Sequence, residues 1–98
     1  MTPAAKLQKR LKKRVEAAGG TYRKVKWEAR VGCPDCFIWF EWPVAAFVEV
    51  KAGLDRYSVI QTRETDRMRE AGIPVFTART EDDVDWIVDQ LIEMGNIK

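Results

Sequence analysis

A carboxylate and an ammonium group stand two positions apart in an otherwise apolar segment of this sequence. Glu49 and Lys51 follow the run Ala-Ala-Phe-Val and enclose Val50. Because side chains alternate along a β-strand, Glu49 and Lys51 would project from the same face of one strand. Charged groups on an apolar strand are costly to bury unless they have a partner or a task. An exposed ion pair on an edge strand fits the apolar neighbours less well, so the pair is a candidate active site.

A second carboxylate, Asp35, opens the preceding apolar segment. An aspartate directly after a proline is by itself typical of a turn. Its segment is predicted to pair as a hairpin with the strand of Glu49, and two carboxylates converging from paired strands can hold a divalent cation. The main-chain carbonyl of Val50 could supply a further ligand, and such oxygen ligands suit Mg²⁺ or Mn²⁺. Lys51 would orient the attacking water or neutralise charge that develops during phosphodiester hydrolysis.

The composition excludes several other chemistries. The chain has no histidine, which rules out Ser-His-Asp and Cys-His catalysis and His-ligated zinc within it. At 46% hydrophobic and 33% charged residues, it is typical of one soluble globular domain spanning residues 1–98. No apolar run approaches the roughly 20 residues of a membrane span. The first residues lack the apolar stretch of a signal peptide, so a cytoplasmic location without membrane association is expected.

The net charge of +2 conceals a strong asymmetry. The first 30 residues contain ten Lys or Arg and only two Glu. Such a basic segment is what contacts with a phosphate backbone require. A solvated helix face would explain the helical part equally well, but the charge continues beyond the helix to the proposed site. The residues predicted to contact a nucleic-acid backbone are Lys9, Arg10, Lys12, Lys13, Arg14, Arg23, Lys24 and Arg30.

Periodicity and capping signals predict the element order αβββαβα. A first helix is expected between Pro3 and Gly19, with an apolar stripe at Leu7, Leu11 and Val15. The remaining elements are three strands, a second helix that Ser58 caps and Gly72 ends, a fourth strand, and a last helix that begins after Thr80. The strands are placed at 21–29, 35–41, 45–52 and 73–78.

Several of these residues together resemble a known nuclease signature. The string Gly32-Cys33-Pro34-Asp35, followed by Phe47-Val48 leading into Glu49-Val50-Lys51, looks like the PD-(D/E)XK motif. It is more narrowly similar to the VRR-NUC family, as are Ser58 and Gln61 and the segment 71–75. The resemblance spans most of the chain. It implies an α/β restriction-endonuclease-like core, with a mixed central sheet flanked by helices.

The same resemblance implies a function and a role for each site residue. Asp35 and Glu49 would be metal ligands, Lys51 the catalytic lysine, and Gln61 a support from the second helix. Stand-alone relatives of this type tend to be viral or mobile-element homodimers that act on branched DNA such as Holliday junctions. The implied activity is that of a Mg²⁺- or Mn²⁺-dependent, structure-specific endodeoxyribonuclease with a role in DNA repair, located in the host cytoplasm if viral.

One position departs from the family pattern. The family usually places a glutamate on the first helix, about eleven residues before its terminal Gly-Gly, and this chain has Gln8 there. Gln8 could still take part in catalysis through its amide oxygen or a water molecule, but it brings no charge. The departure keeps a second hypothesis open: a nucleic-acid-binding module on the same fold that does not cut.

Other motifs have structural explanations. Ser58 and Gln61 form the pattern of a capping box, which is compatible with a role in the site. Cys33 and Cys36 form a CxxC, but a redox CxxC normally opens a helix, and zinc would need further ligands from a second chain. Both cysteines are therefore interpreted as packing residues. Among the tryptophans, Trp27 and Trp86 are predicted in the core, whereas Trp39 or Trp42 could meet DNA or a second subunit.

Overall fold

The computed structural model describes residues 1–28 and 30–96 and contains three helices and four strands within them. The observed order is αβββαβα, as predicted. The elements are α1 (Pro3–Ala17), β1 (Thr21–Lys24), β2 (Cys36–Trp39), β3 (Ala45–Val50), α2 (Val59–Glu70), β4 (Val75–Ala78) and α3 (Glu81–Asn96).

The four strands form one mixed sheet in the order β1-β2-β3-β4. β1 pairs with β2 and β2 with β3 in antiparallel fashion, whereas β3 and β4 are parallel. The predicted hairpin of the second and third strands is therefore confirmed, and so is the mixed sheet. β3 is an inner strand with a neighbour on each side, and its residues are buried from Val48 to Val50.

α1 and α3 pack side by side on one face of the sheet. The α1 stripe of Leu7, Leu11 and Val15 is buried, as the spacing predicted. α1 starts at Pro3 because Thr2 Oγ1 accepts a hydrogen bond from the Ala5 amide at 3.1 Å, an N-cap. A short turn joins the end of α1 to β1, so α1 runs antiparallel to β1. Its first turns therefore lie toward the edge of the sheet where β1 and β3 end.

Two details of the fold differ from the predictions. β1 ends at Lys24 rather than at residue 29, because β2 begins only at Cys36, the register partner of Lys24. Residue 29 itself lies outside the described residues. Trp86 is 56% exposed, so its assignment to the core was wrong. The buried face of α3 carries Val84, Ile87, Val88 and Leu91, and this helical phase leaves Trp86 at the margin of the core, with its ring edge-on to that of Phe76 on β4.

Trp42, rather than Trp86, packs against the core. The Trp42 indole donates a hydrogen bond from Nε1 to the carbonyl of Leu91 at 2.9 Å and stacks on Phe40. Gly95 allows this close approach, since a Cβ at that position would lie 2.6 Å from the indole ring. None of the helices in the described part of the chain is long and apolar enough to cross a membrane.

Candidate active site

The register of the sheet brings Asp35 and Glu49 together. The last antiparallel pair of β2 and β3 joins Cys36 to Val48, and one further step places Asp35 across from Glu49. On the other side of β3, Glu49 pairs with Thr77 of β4. The main-chain carbonyl of Asp35 also accepts a hydrogen bond from the Val25 amide at 2.8 Å, which fixes the start of β2. Both predicted carboxylates thus lie at one edge of the sheet.

Glu49 is a buried carboxylate with few partners. The residue is 8% exposed, and within the described residues no hydrogen-bond donor reaches its side chain. Its nearest cation is Lys51, whose Nζ lies 3.9 Å from Glu49 Oε1. Burial, and then the negative charge of Asp35, raises the pKa of Glu49 to about 7, although Lys51 opposes the shift. A pKa of about 7 places the ionisation of Glu49 near neutral pH.

Lys51 follows β3 and is held from two sides. Its Nζ donates a hydrogen bond to Gln61 Oε1 at 2.9 Å and lies 5.6 Å from the ring centre of Tyr57. The Tyr57 hydroxyl is itself hydrogen-bonded to the Thr77 hydroxyl on β4. The lysine side chain is only 15% exposed, and one of its three N–H groups is used by Gln61. The ammonium group is thus oriented while part of its donor capacity stays free.

The side-chain oxygen of Gln61 accepts two hydrogen bonds. Its Oε1 accepts from the Ser58 amide at 2.9 Å, and the Gln61 amide donates to Ser58 Oγ at 3.1 Å. These reciprocal bonds form the predicted capping box of α2. Because the same Oε1 also accepts a hydrogen bond from Lys51, Gln61 connects the first turn of α2 to the Lys51 side chain. The capping box of Gln61 is confirmed, and its contact with Lys51 is compatible with the predicted role in the site, which stays a prediction.

The loop before Asp35 is anchored on α2. Gly32 has a φ of +84°, and a Cβ there would lie 2.9 Å from the Gln61 amide nitrogen, so only glycine fits without displacement. Arg30 forms an ion pair with Glu64, and Cys33 Sγ lies 3.7 Å from the same carboxylate. α2 therefore positions both Lys51 and the loop that leads into Asp35.

The two cysteines make different contacts and form no disulfide. Cys36 is fully buried with Sγ 3.5 Å from the Tyr22 hydroxyl, and burial raises its pKa to about 11. Burial also raises the pKa of Cys33. Both thiols are thereby less reactive than a free cysteine, in agreement with their interpretation as packing residues.

The oxygen donors of this edge fit a divalent cation. Asp35 and Glu49 supply two carboxylates, and Val50 lies beyond the last residue that β3 pairs with β2. Magnesium is commonly held by one or two carboxylates and completes its shell with water and substrate phosphate. Within the described residues no group of three or more His, Cys, Asp or Glu side chains has an arrangement that could hold a metal ion. Two carboxylates and a carbonyl are hard donors, and such donors suit Mg²⁺ or Mn²⁺ better than zinc.

The predicted DNA contacts divide into two groups. Lys9, Lys12 and Lys13 are exposed on α1. The other five side chains bind within the protein: Arg10 and Arg14 pair with Asp85 on α3, Arg23 lies over the Trp39 ring, Lys24 binds Asp35, and Arg30 binds Glu64.

Gln8 is half-buried on the second turn of α1, and its side chain makes no hydrogen bond within the described residues. The direction of α1 places it toward the edge of the sheet that carries Asp35 and Glu49.

The structure adds three residues to the site. Lys24, which was assigned to DNA binding, donates from Nζ to Asp35 Oδ2 at 2.8 Å. Tyr57 lies beside Lys51, and Thr77 is the register partner of Glu49 on β4. No local motif marks these residues, since β1 and β4 bring Lys24 and Thr77 to the site only through the sheet register.

This arrangement, with two carboxylates and a lysine at one edge of a mixed αβββαβα sheet, defines the restriction-endonuclease-like class of α/β proteins. No protein-family model matches the sequence, and no curated protein matches it either. A solved structure described as a "VRR_NUC domain" superposes with a TM-score of 0.85 at 36% identity, covering 91% of this chain and 97% of that one. The chain therefore belongs to the VRR_NUC family of nuclease-type domains, and the predicted resemblance is confirmed.

Proposed function

We propose that this protein is a Mg²⁺- or Mn²⁺-dependent endonuclease that hydrolyses phosphodiester bonds of branched DNA such as Holliday junctions. The observation that carries the proposal is the register that sets Asp35 across from Glu49, with Lys51 held beside them by Gln61. A cation on these carboxylates would supply a nucleophile at neutral pH and neutralise phosphate charge.

The protein's own residues have distinct roles in this proposal. Asp35, Glu49 and the Val50 carbonyl hold the cation. Lys51 donates hydrogen bonds to the oxygens on which charge develops, and its fixed position means that little reorganisation accompanies the reaction. Gln61 keeps Lys51 in place. Gln8 stands at the position of the family glutamate and contributes an amide rather than a charge.

A homodimer follows from the substrate. A four-way junction is resolved by two cuts, and two copies of this chain related by a two-fold axis would present two such sites. The exposed lysines of α1 supply charge for the phosphate backbone. Sedimentation of the purified protein tests the dimer independently of cleavage.

Cleavage of a labelled four-way junction and of a matched linear duplex tests the proposed activity. Each substrate is incubated with Mg²⁺, Mn²⁺ or chelator and with wild type, Asp35→Asn or Asp66→Asn. Asp66 is exposed on α2 and serves as a control for the loss of one surface charge. We expect metal-dependent cutting of the junction by wild type and Asp66→Asn, and none by Asp35→Asn. If wild type and Asp35→Asn are equally inert with every metal while both bind the junction, the protein is a binding module instead.

A further inference from the structure

A second lysine lies at the metal side of the candidate site. Lys24 is the last residue of β1 and donates from Nζ to Asp35 Oδ2 at 2.8 Å. The other oxygen of Asp35 lies 3.7 Å from Cys36 Sγ. Both oxygens of this carboxylate are therefore engaged by the protein, and the stronger of the two interactions is with a cationic side chain.

The position of Lys24 is fixed by the backbone. Lys24 pairs with Cys36 in the sheet, and the next residue, Val25, donates its amide to the Asp35 carbonyl at 2.8 Å. These main-chain contacts hold the Lys24 backbone next to Asp35. Burial lowers the pKa of Lys24, but the hydrogen bond and charge of Asp35 outweigh this and raise it overall. The lysine is thus charged at every physiological pH.

The two lysines of the site differ in what they bind. Lys51 is fixed by a neutral amide and lies 3.9 Å from Glu49 without a hydrogen bond to it. Lys24 instead binds the carboxylate that a cation would use. An ammonium group and a divalent cation next to Asp35 Oδ2 repel each other, so each weakens the attraction of Asp35 for the other.

We propose that Lys24 competes with the divalent cation for Asp35 and thereby sets the metal affinity of the site. This inference rests on the proposed metal-dependent function. A cation bound at Asp35 would weaken or displace the ion pair with Lys24, and this loss would reduce the net affinity for the metal. The side chains of Lys24 and Asp35 are 51% and 43% exposed, so the exchange needs no opening of the core. Lys24 acts on metal binding through its contact with Asp35 and is not itself a metal ligand.

Calorimetric titration of Mn²⁺ into the protein without DNA tests the competition. Lys24→Met removes the charge and keeps the length of the side chain, and we expect about two- to fivefold tighter Mn²⁺ binding than in wild type, since an exposed ion pair contributes up to about 1 kcal/mol. Lys24→Arg keeps the charge and is expected to bind Mn²⁺ about as wild type does. Lys26→Met is the matched control, since Lys26 is exposed on the same segment and makes no ion pair within the described residues. Its Mn²⁺ affinity should be unchanged.

The ionic strength provides a second readout. The difference between Lys24→Met and wild type should shrink as salt is added, because salt screens a half-exposed ion pair. Unfolding in urea shows whether each variant is folded before titration.

Asp35→Asn separates the two ways of failing. If wild type binds Mn²⁺ and Asp35→Asn does not, but Lys24→Met binds no more tightly than wild type, the role of Lys24 is refuted and the metal site stands. Tighter binding by Lys26→Met to the same degree would also refute it, since the effect would then be one of net charge. If wild type and Asp35→Asn both fail to bind Mn²⁺, the proposed metal site falls together with the competition.

Discussion

Replacing Glu49 by glutamine is expected to stabilise the fold at about pH 8 and to leave its stability unchanged at about pH 4. The pKa of Glu49 is about 7 in the folded protein, compared with an ordinary value of 4.5. A raised folded pKa means that the native state holds the proton more tightly than the unfolded state does. Between pH 4.5 and 7 the unfolded chain therefore loses its proton first, and the stability of wild type falls over this window and stays low above it.

The size of the effect follows from the two pKa values. The difference between 4.5 and about 7 corresponds to about 3 kcal/mol in the free energy of unfolding, at 1.36 kcal/mol per pKa unit. The side chain of Glu49 is only 10% exposed, so solvent screens this cost little. Glutamine has nearly the same shape and carries no charge at any pH. The Glu49→Gln variant therefore avoids the cost, while Lys51 keeps its hydrogen bond to Gln61.

Urea unfolding in the presence of chelator, at a series of pH values from about 4 to about 8, measures the difference. The free energy of unfolding of Glu49→Gln minus that of wild type should rise through the window between 4.5 and 7 and reach a plateau near 3 kcal/mol. Glu16→Gln, a change on the exposed face of α1, is the control and should show no such rise. A difference that does not vary with pH, or a variant less stable than wild type at pH 8, would refute the electrostatic reasoning.

Three further predictions concern α2, the loop before β2 and the surface of α1. Ser58→Ala should cost about 1 kcal/mol of stability and leave the cleavage rate nearly unchanged, because it removes only the helix cap. Gln61→Ala removes the contact with Lys51 as well, so it should lower both the urea midpoint and the cleavage rate. Gly32→Ala should reduce the free energy of unfolding in urea by about 1–3 kcal/mol more than Gly72→Ala does. Both glycines have φ near +84°, but of the two only the Cβ at Gly32 would meet other atoms. Equal reductions would argue against the packing of this loop on α2. Replacing the exposed lysines of α1 by glutamine should make the slope of log K for junction binding against log salt shallower, by about 0.9 for each phosphate that is no longer neutralised. An unchanged slope would exclude a role in DNA binding for these side chains, which are Lys9, Lys12 and Lys13.

The local patterns of the sequence were enough to predict the elements and the main pair of the site. The spacing of Leu7, Leu11 and Val15 predicts a buried helix face, and all three are buried. The apolar alternation of β2 and β3 predicts a hairpin, and its register then brings Asp35 across from Glu49. These features depend on neighbours in the sequence or on one short connection, which is why they can be predicted.

The features that the sequence did not predict depend on contacts between distant segments. The partner of Lys24 is decided by the register of β1 on β2, and nothing in the segment Thr21–Lys24 specifies it. In the sequence Arg10 is one more basic residue of α1, but in the fold α3 presents Asp85, which accepts two hydrogen bonds from it at 3.0 and 2.8 Å. Trp86 has the composition of a core residue, but the phase of α3 gives the buried face to other side chains.

The glutamine at position 8 also bears on the proposed site, where the described residues supply two acidic side chains. The edge of the sheet carries two carboxylates, Asp35 and Glu49, and two ammonium groups, those of Lys24 and Lys51. The charge of Asp35 already raises the pKa of Glu49, so a third carboxylate nearby would raise it further. An uncharged Gln8 adds no such repulsion. In the proposed nuclease, having fewer acidic residues near Glu49 would thus allow this buried side chain to lose its proton at the pH at which it must bind metal.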